Sequence, residues 1–196
     1  MKKKQGIIFI ITGPSGSGKT TLRSRLLEDK KLRKILTKSI SFTTRAKRSG
    51  EKNGRDYYFL NESKFLALRR AKKILEWTKY LGYYYGTPKD YVEKSVKAGR
   101  NVVLCTDLKG VANIKRLYPL HSISIFVRPP SLKTLETRMK GRCRRIPQNE
   151  LKRRIELARE ELRHASSCDY QILNNKLPEA LAQLKHIITQ QINKKT

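Results

Sequence analysis

The chain has 196 residues, with 45 Lys and Arg against 16 Asp and Glu and a net charge of +29. At 38 % hydrophobic and 31 % charged it is polar, yet short apolar runs recur throughout, which excludes a disordered or collagen-like polypeptide. The longest early run, Ile7–Ile11, falls far short of the roughly 20 residues a membrane span needs.

In chain order, the basic start Met1-Lys-Lys-Lys precedes an apolar stretch below the roughly 7–15 residues of a signal-peptide core. That stretch runs into Thr12-Gly13-Pro14 with no small-residue cleavage site, so a cytoplasmic protein is expected. Ile7–Ile11 reads as a buried strand, and Thr21-Leu-Arg-Ser-Arg-Leu-Leu after it as a helix. Ser39–Thr87, rich in Thr, Arg, Gly and Tyr with period-2 patches such as Lys38-Ser-Ile-Ser-Phe-Thr, reads as a small β-rich insertion. Asn101–Cys105 and Ser122–Val127 follow as strands.

The segment from Thr134 to about His164 is strongly basic and helical, with Leu151, Ile155, Ala158 and Leu162 on one face behind Pro147. Tyr170–Leu173 reads as a last strand, and Leu177, Leu181, Leu184, Ile188 and Ile192 as one face of a last helix. Strands alternating with helices predict an α/β fold on a parallel sheet core. Its core is expected to comprise residues 1–38, 88–133 and 165–196, carrying appendages at 39–87 and 134–164. Three cysteines (Cys105, Cys143, Cys168), odd in number and without C-x-x-C spacing, give neither a disulfide framework nor a zinc site. The basic surplus runs through the whole chain rather than a tail, and attracts nucleic acid or phosphorylated metabolites alike.

Gly13-Pro14-Ser15-Gly16-Ser17-Gly18-Lys19-Thr20 matches the phosphate-loop pattern G-x-x-x-x-G-K-[ST]. By chance this pattern arises in on the order of one in a hundred chains of this length; here an apolar strand feeds it and a helix leaves it, as its chemistry requires. Glycines let successive N–H groups turn around phosphate oxygens, and the helix dipole adds positive potential. Lys19 is expected at the β- and γ-phosphates, and the Thr20 hydroxyl on Mg²⁺.

The order Ser41, Thr43-Thr44-Arg45, Arg48, Gly50-Glu51, Gly54, Asp56-Tyr57, Glu76-Trp77 and Tyr84-Tyr85-Gly86-Thr87 resembles the nucleotide-acceptor segment of guanylate kinases. The similarity continues through Asp107-Leu-Lys-Gly110, Phe126-Val-Arg-Pro-Pro-Ser131, Arg138-Met-Lys-Gly-Arg142, Arg154-Ile155 and Asp169-Tyr-Gln-Ile-Leu-Asn174, nearly the whole chain. The resemblance implies a P-loop three-layer fold, a GMP-binding insertion at 39–87 and a helical lid at 134–164. It implies an enzyme that moves the γ-phosphate of ATP onto GMP, and onto dGMP, with Mg²⁺.

Guanine presents N1–H and N2–H₂ as adjacent donors, which the carboxylate of Glu76 accepts together; adenine offers no such pair. Ser41 and Thr87 complete the implied base pocket, while Arg45, Arg48, Tyr57 and Tyr85 face the GMP phosphate and Glu51 orients an arginine or contacts the acceptor. Arg138, Arg142 and Arg154 (or Arg153) fall where the family clamps the transferred phosphoryl, and Asn174 falls with the ATP-binding residues. Cys105 stands where the family usually has an aspartate, so Asp107 is left to carry the acid role near Mg²⁺ or Lys19. Cys105 itself reads as a buried, inert thiol, Trp77 as a core residue, and Tyr83 and Tyr84 as packing residues. A non-catalytic binding module tends to lose the loop lysine that stands here. With no RNP, KH or zinc-finger pattern, only salt-sensitive, sequence-independent attraction to nucleic acid is expected.

Overall fold

A computed structural model describes residues 5–142 and 146–194, the side chain of Arg142 excepted. The elements run β1 (Ile8–Thr12), α1 (Lys19–Glu28), α2 (Leu32–Ile35), β2 (Leu36–Lys38), β3 (Phe42–Thr43), β4 (Tyr58–Phe59), α3 (Glu62–Arg70), β5 (Ile74–Tyr80) and β6 (Tyr83–Pro88). They continue α4 (Lys89–Lys97), β7 (Asn101–Cys105), α5 (Leu108–Leu117), β8 (Ser122–Arg128), α6 (Leu132–Arg142), α7 (Gln148–Arg163), β9 (Tyr170–Leu173) and α8 (Leu177–Lys194). Five strands form a parallel sheet in the order β2-β7-β1-β8-β9, and four form a second sheet in the order β4-β3-β6-β5. The α/β expectation and its four apolar strands hold. The fifth strand, β2, is three residues long and lies just ahead of the stretch read as the insertion.

The chain divides into two compact units, Met1–Phe9 with Lys34–Ser122 and Ile10–Arg33 with Ile123–Thr196. In the first unit β2 pairs parallel with β7, Leu36 opposite Asn101 and Lys38 opposite Val103. The Asn101 side chain ties this edge, accepting from Ile7 N at 2.9 Å and donating to Ile35 O at 3.2 Å. Val92 and Val96 of α4 and Val111 and Ile114 of α5 supply buried apolar faces. In the smaller sheet β6 pairs antiparallel with both β3 and β5. The fully buried Phe65 of α3 stacks on Tyr84 with ring centroids 5.2 Å apart.

Strand β5 is irregular, its register shifting between Ile74 and Trp77. In a regular strand neighbouring side chains take opposite faces, so Leu75 and Glu76 would not both point inward. The bulge lets both be buried and turns the next residue out. Trp77 is therefore no core residue: it is 39 % exposed, with the Arg69 guanidinium 4.3 Å over its ring and Tyr84 beside it at 5.9 Å. Tyr84 packs as expected, whereas Tyr83 is exposed.

In the second unit, Leu22 and Leu26 of α1 and Ala180, Leu184 and Ile188 of α8 are buried. Lys185 of α8 meets Asp29, just past α1, at 2.7 Å, and that hydrogen bond is the chief cause holding the Asp29 carboxyl down at about 2. Helices α6 and α7 share an apolar cluster of Leu135, Met139, Leu151 and Ala158 with Ile155 against it. The face predicted for α7 is thus inward, with Leu162 half-buried at its end. Cys143, Arg144 and Arg145 lie outside the described residues, as does the Arg142 side chain.

Candidate active site

The glycine-rich segment forms the turn from β1 into α1. Gly13, Gly16 and Gly18 all take positive φ, and Gly18 is the N-cap of α1 with no side chain closing the helix end and no acid in its first turn. The first N–H groups of α1 are thereby left to an external anion. A Cβ on Gly18 would stand 2.2 Å from Asn174 Nδ2. Asn174 is buried and donates from that same nitrogen to Ser17 O at 2.7 Å. Its side chain therefore braces the loop from the end of β9.

Lys19 Nζ folds back onto the loop, donating to Gly13 O and to Pro14 O. Ser17 Oγ and Thr12 Oγ1 are buried with no hydrogen-bond partner among the described residues. Thr20 is half-buried in the first turn of α1. Helix α6 covers the loop: Leu135 Cδ2 and Met139 Cγ both lie 3.4 Å from the Cβ position of Gly16. From the same helix Arg138 Nη2 donates to Asn174 O at 3.1 Å, while its Nη1 is buried and has no partner among the described residues. Arg154 is inward-facing and bound by Glu150, Nε to Oε1 at 2.9 Å, whereas Arg153 is exposed.

The first unit builds a buried carboxylate. Glu76 is 4 % exposed; its Oε1 accepts from Thr87 Oγ1 at 2.5 Å and its Oε2 from Thr106 Oγ1 at 3.1 Å. Burial, with the nearby charge of Asp107, pushes this carboxyl up to about 7, although both threonine hydrogen bonds pull it down. Asp107 caps α5, its Oδ1 accepting from Gly110 N at 2.8 Å. Gly110 is needed there for space, since a Cβ would stand 2.6 Å from Glu76 Oε2 and 2.1 Å from Thr106 Oγ1.

In the same unit, Ser41 is buried and Tyr57 and Tyr85 are half-buried with rings edge-on at 6.1 Å. Arg45 Nη2 lies 2.8 and 3.0 Å from the two Glu51 oxygens, and Arg48 N donates to Glu51 Oε2 at 2.8 Å. Burial works against the Arg45 charge, but the Glu51 and Tyr85 contacts hold its pKa above the ordinary value. Burial likewise opposes the Glu51 charge, and Arg45 and the Arg48 amide keep its carboxyl below the usual range. Glu51 thus holds the Arg45 guanidinium by an ion pair. Cys105, expected to be buried, is half-buried at the end of β7.

Thr106 and Gly110 join this cluster without a signature of their own in the sequence; an Asp followed three residues on by Gly at a helix start is the one available signal. For the nucleotide acceptor that the family resemblance implies, Gly110→Ala is expected to raise KM at least about tenfold, because its Cβ displaces the Thr106 hydroxyl or the Glu76 carboxylate. Steady-state kinetics check this, and an unchanged KM would show the pocket to be softer than its geometry.

The family model of guanylate kinase matches residues 5–191. The guanylate kinase of Bordetella pertussis is 41 % identical over 189 residues, 96 % of this chain and 86 % of that protein. That of Thermus thermophilus is 40 % identical over 189 residues, covering 96 % of this chain and 82 % of the relative. The crystal structure of guanylate kinase from Anaplasma phagocytophilum superposes with a TM-score of 0.79 at 31 % identity, covering 96 % of this chain and 87 % of that one.

Proposed function

The chain belongs to the guanylate kinase family, and from that premise we propose how its own residues divide the transfer of the γ-phosphate of ATP to GMP. On this reading the loop Gly13–Thr20 holds the ATP phosphates through backbone N–H groups, with Pro14, Ser15 and Gly16 shaping the turn. The Ser17 hydroxyl, buried and unpartnered, and Lys19 turn to phosphate oxygens when the nucleotide enters. Asn174 acts on the donor by bracing that loop. Arg138, Arg142 and Arg154 stabilise the charge that spreads over the transferring group. Residues 134–164 act as the lid, 39–87 as the GMP-binding segment, and the remainder as the core.

The observation that carries the acceptor assignment is the buried carboxylate of Glu76, its plane fixed by Thr87 and Thr106. It takes guanine N1–H and N2–H₂ together, with Ser41 beside it. Arg45, aimed by Glu51, takes the GMP phosphate with Arg48, Tyr57 and Tyr85. None of these contacts reads the 2′-hydroxyl, so dGMP is accepted as well. Asp107, placed as the cap of α5, acts by the field it sets at Glu76 and by aligning α5.

Mg²⁺ fits the donor set present. Magnesium keeps waters and substrate phosphates in most of its coordination positions, so one hard oxygen from Thr20 suffices. Among the described residues no cluster of three or more His, Cys, Asp or Glu competes for it. When bound, the ion neutralises charge on the β- and γ-phosphates. Among the described residues no helix is long and apolar enough to cross a membrane, and the reading places the enzyme in the cytoplasm with its nucleotides.

The test is a coupled assay of ADP release with ATP, Mg²⁺ and each of GMP, dGMP, AMP and UMP. Turnover is expected with the two guanine nucleotides, at least about a hundredfold above AMP. Equal rates with AMP would sink the pocket assignment. Activity surviving in Lys19→Met would sink the loop assignment.

A further inference from the structure

Strand β5 also walls a cavity of about 640 Å³ that lies wholly within the first unit, a volume in the range of small-molecule sites. Its apolar lining comes from Ile74, Leu75, Trp77 and Leu117, and the last two are exposed at 39 % and 52 %. Its charged lining is Arg69, Lys72, Lys89 and Arg116. The acids there are already engaged. Glu93 is met by Lys89 at 3.9 Å and by the Tyr118 hydroxyl at 3.5 Å, and the Glu76 carboxylate is held by Thr87 and Thr106. Lys72 and Arg116 have no acidic partner among the described residues. The cavity is therefore cationic with an aromatic wall.

Lys72 adds an independent observation. It stands just past the Ala71 cap of α3 with φ 55°, the left-handed conformation that favours glycine. Lys72 N donates to Arg69 O at 3.0 Å and Lys73 N to Leu68 O at 2.9 Å, the pattern of a helix terminus built for glycine. A lysine at such a position carries backbone strain, and strained residues cluster where they serve a site. Four basic groups that phosphoryl transfer leaves unused converge on the same hollow.

We propose that this cavity is a second nucleotide-binding site, holding the phosphates of a nucleoside diphosphate on Lys72 and Arg116 and its ring against Trp77 and Leu117. It lies beyond the proposed function, since none of these four residues belongs to the donor or acceptor set. Arg69, stacked on Trp77, and Lys89 add to the positive field.

The chain contains a single tryptophan, and it lines the cavity, so its fluorescence reports occupancy directly. With GMP saturating, labelled ADP is expected to bind the full-length protein at two molecules per chain, the second shifting Trp77 emission and weakening as salt rises. Lys72→Gly removes strain and charge together: it is expected to raise the melting temperature while weakening the second ADP at least about tenfold. Arg116→Gln is expected to cause the same loss of binding without the gain in stability, and kcat and KM stay unchanged in both variants. One ADP per chain in the wild type overturns the proposal, as do two ADP bound with unchanged affinity in both variants. Absence of any ADP binding overturns both this site and the donor assignment.

Discussion

Replacing Glu76 with glutamine is expected to lower kcat/KM for GMP by two to three orders of magnitude, roughly what losing one charged acceptor for a paired donor costs. The same change is expected to stabilise the free protein above neutral pH. The Glu76 carboxyl titrates at about 7 against an ordinary 4.5, so carrying its charge costs the folded state roughly 3 kcal/mol above pH 7 and nothing below about pH 4.5. Stability contributed by the protonated form is thus lost as pH rises through 7. Glutamine never bears that charge, and the two threonine hydroxyls can rotate to suit its amide. Thermal melts from pH 5 to 8 are therefore expected to show the variant gaining over wild type as pH rises. In the wild type, kcat/KM for GMP is expected to fall as pH drops below 7, because guanine needs the ionised form, and this dependence vanishes in the variant. A wild-type profile flat from pH 8 to 5.5 would show that Glu76 does not titrate there.

Replacing Arg138 with methionine is expected to cut kcat about a thousandfold with little change in KM for either nucleotide, the scale on which arginines serve phosphoryl transfer. The basis is one guanidinium with two environments. Nη2 is anchored to Asn174 O at 3.1 Å, and Nη1 is buried without a partner among the described residues. An unmet buried donor costs about 1–3 kcal/mol, so this nitrogen is held at a loss until an anion arrives. Methionine removes that cost, and chemical denaturation is expected to show the variant at least as stable as wild type. Arg138→Lys keeps a charge but loses the planar fork, and falls between the two in kcat. A methionine variant within tenfold of wild-type kcat would remove Arg138 from the transfer step.

The parts of the fold that the sequence revealed are those written in local pattern. Ile8–Thr12 is apolar on both faces because both are covered, so it stands out as a run. The phosphate loop is a contiguous string whose glycines declare their own backbone. Strand β2 is only three residues long and half-buried beyond Leu36, which leaves no run to detect. Trp77 reads as inward because tryptophans usually bury area, whereas its pairing opposite Gly86 turns it out. The clamp on Glu76 was invisible for another reason: Thr87 and Thr106 lie eleven and thirty residues away in sequence, and a threonine carries no pattern that announces its partner. The resemblance sets Asn174 with the donor residues, but that its amide donates to Ser17 across 157 residues needed coordinates.

The register of β5 has a consequence for how base choice is inherited. Trp77 stands opposite Gly86 and Ile74 opposite Pro88, so one surplus residue of β5 sits between them. Losing a residue on the N-terminal side of Glu76 would leave Glu76 and Trp77 on their present faces, because the pairing on the hairpin side sets them, and only Leu75 and Ile74 would turn over. Losing one residue between Trp77 and Tyr83 would instead exchange the two, swinging an indole inward and a carboxylate toward solvent. On the proposed reading, base selection is therefore written partly in arithmetic, as a count of residues along one hairpin. Directed evolution that varies strand length as well as side-chain identity would reach specificities that substitution alone does not.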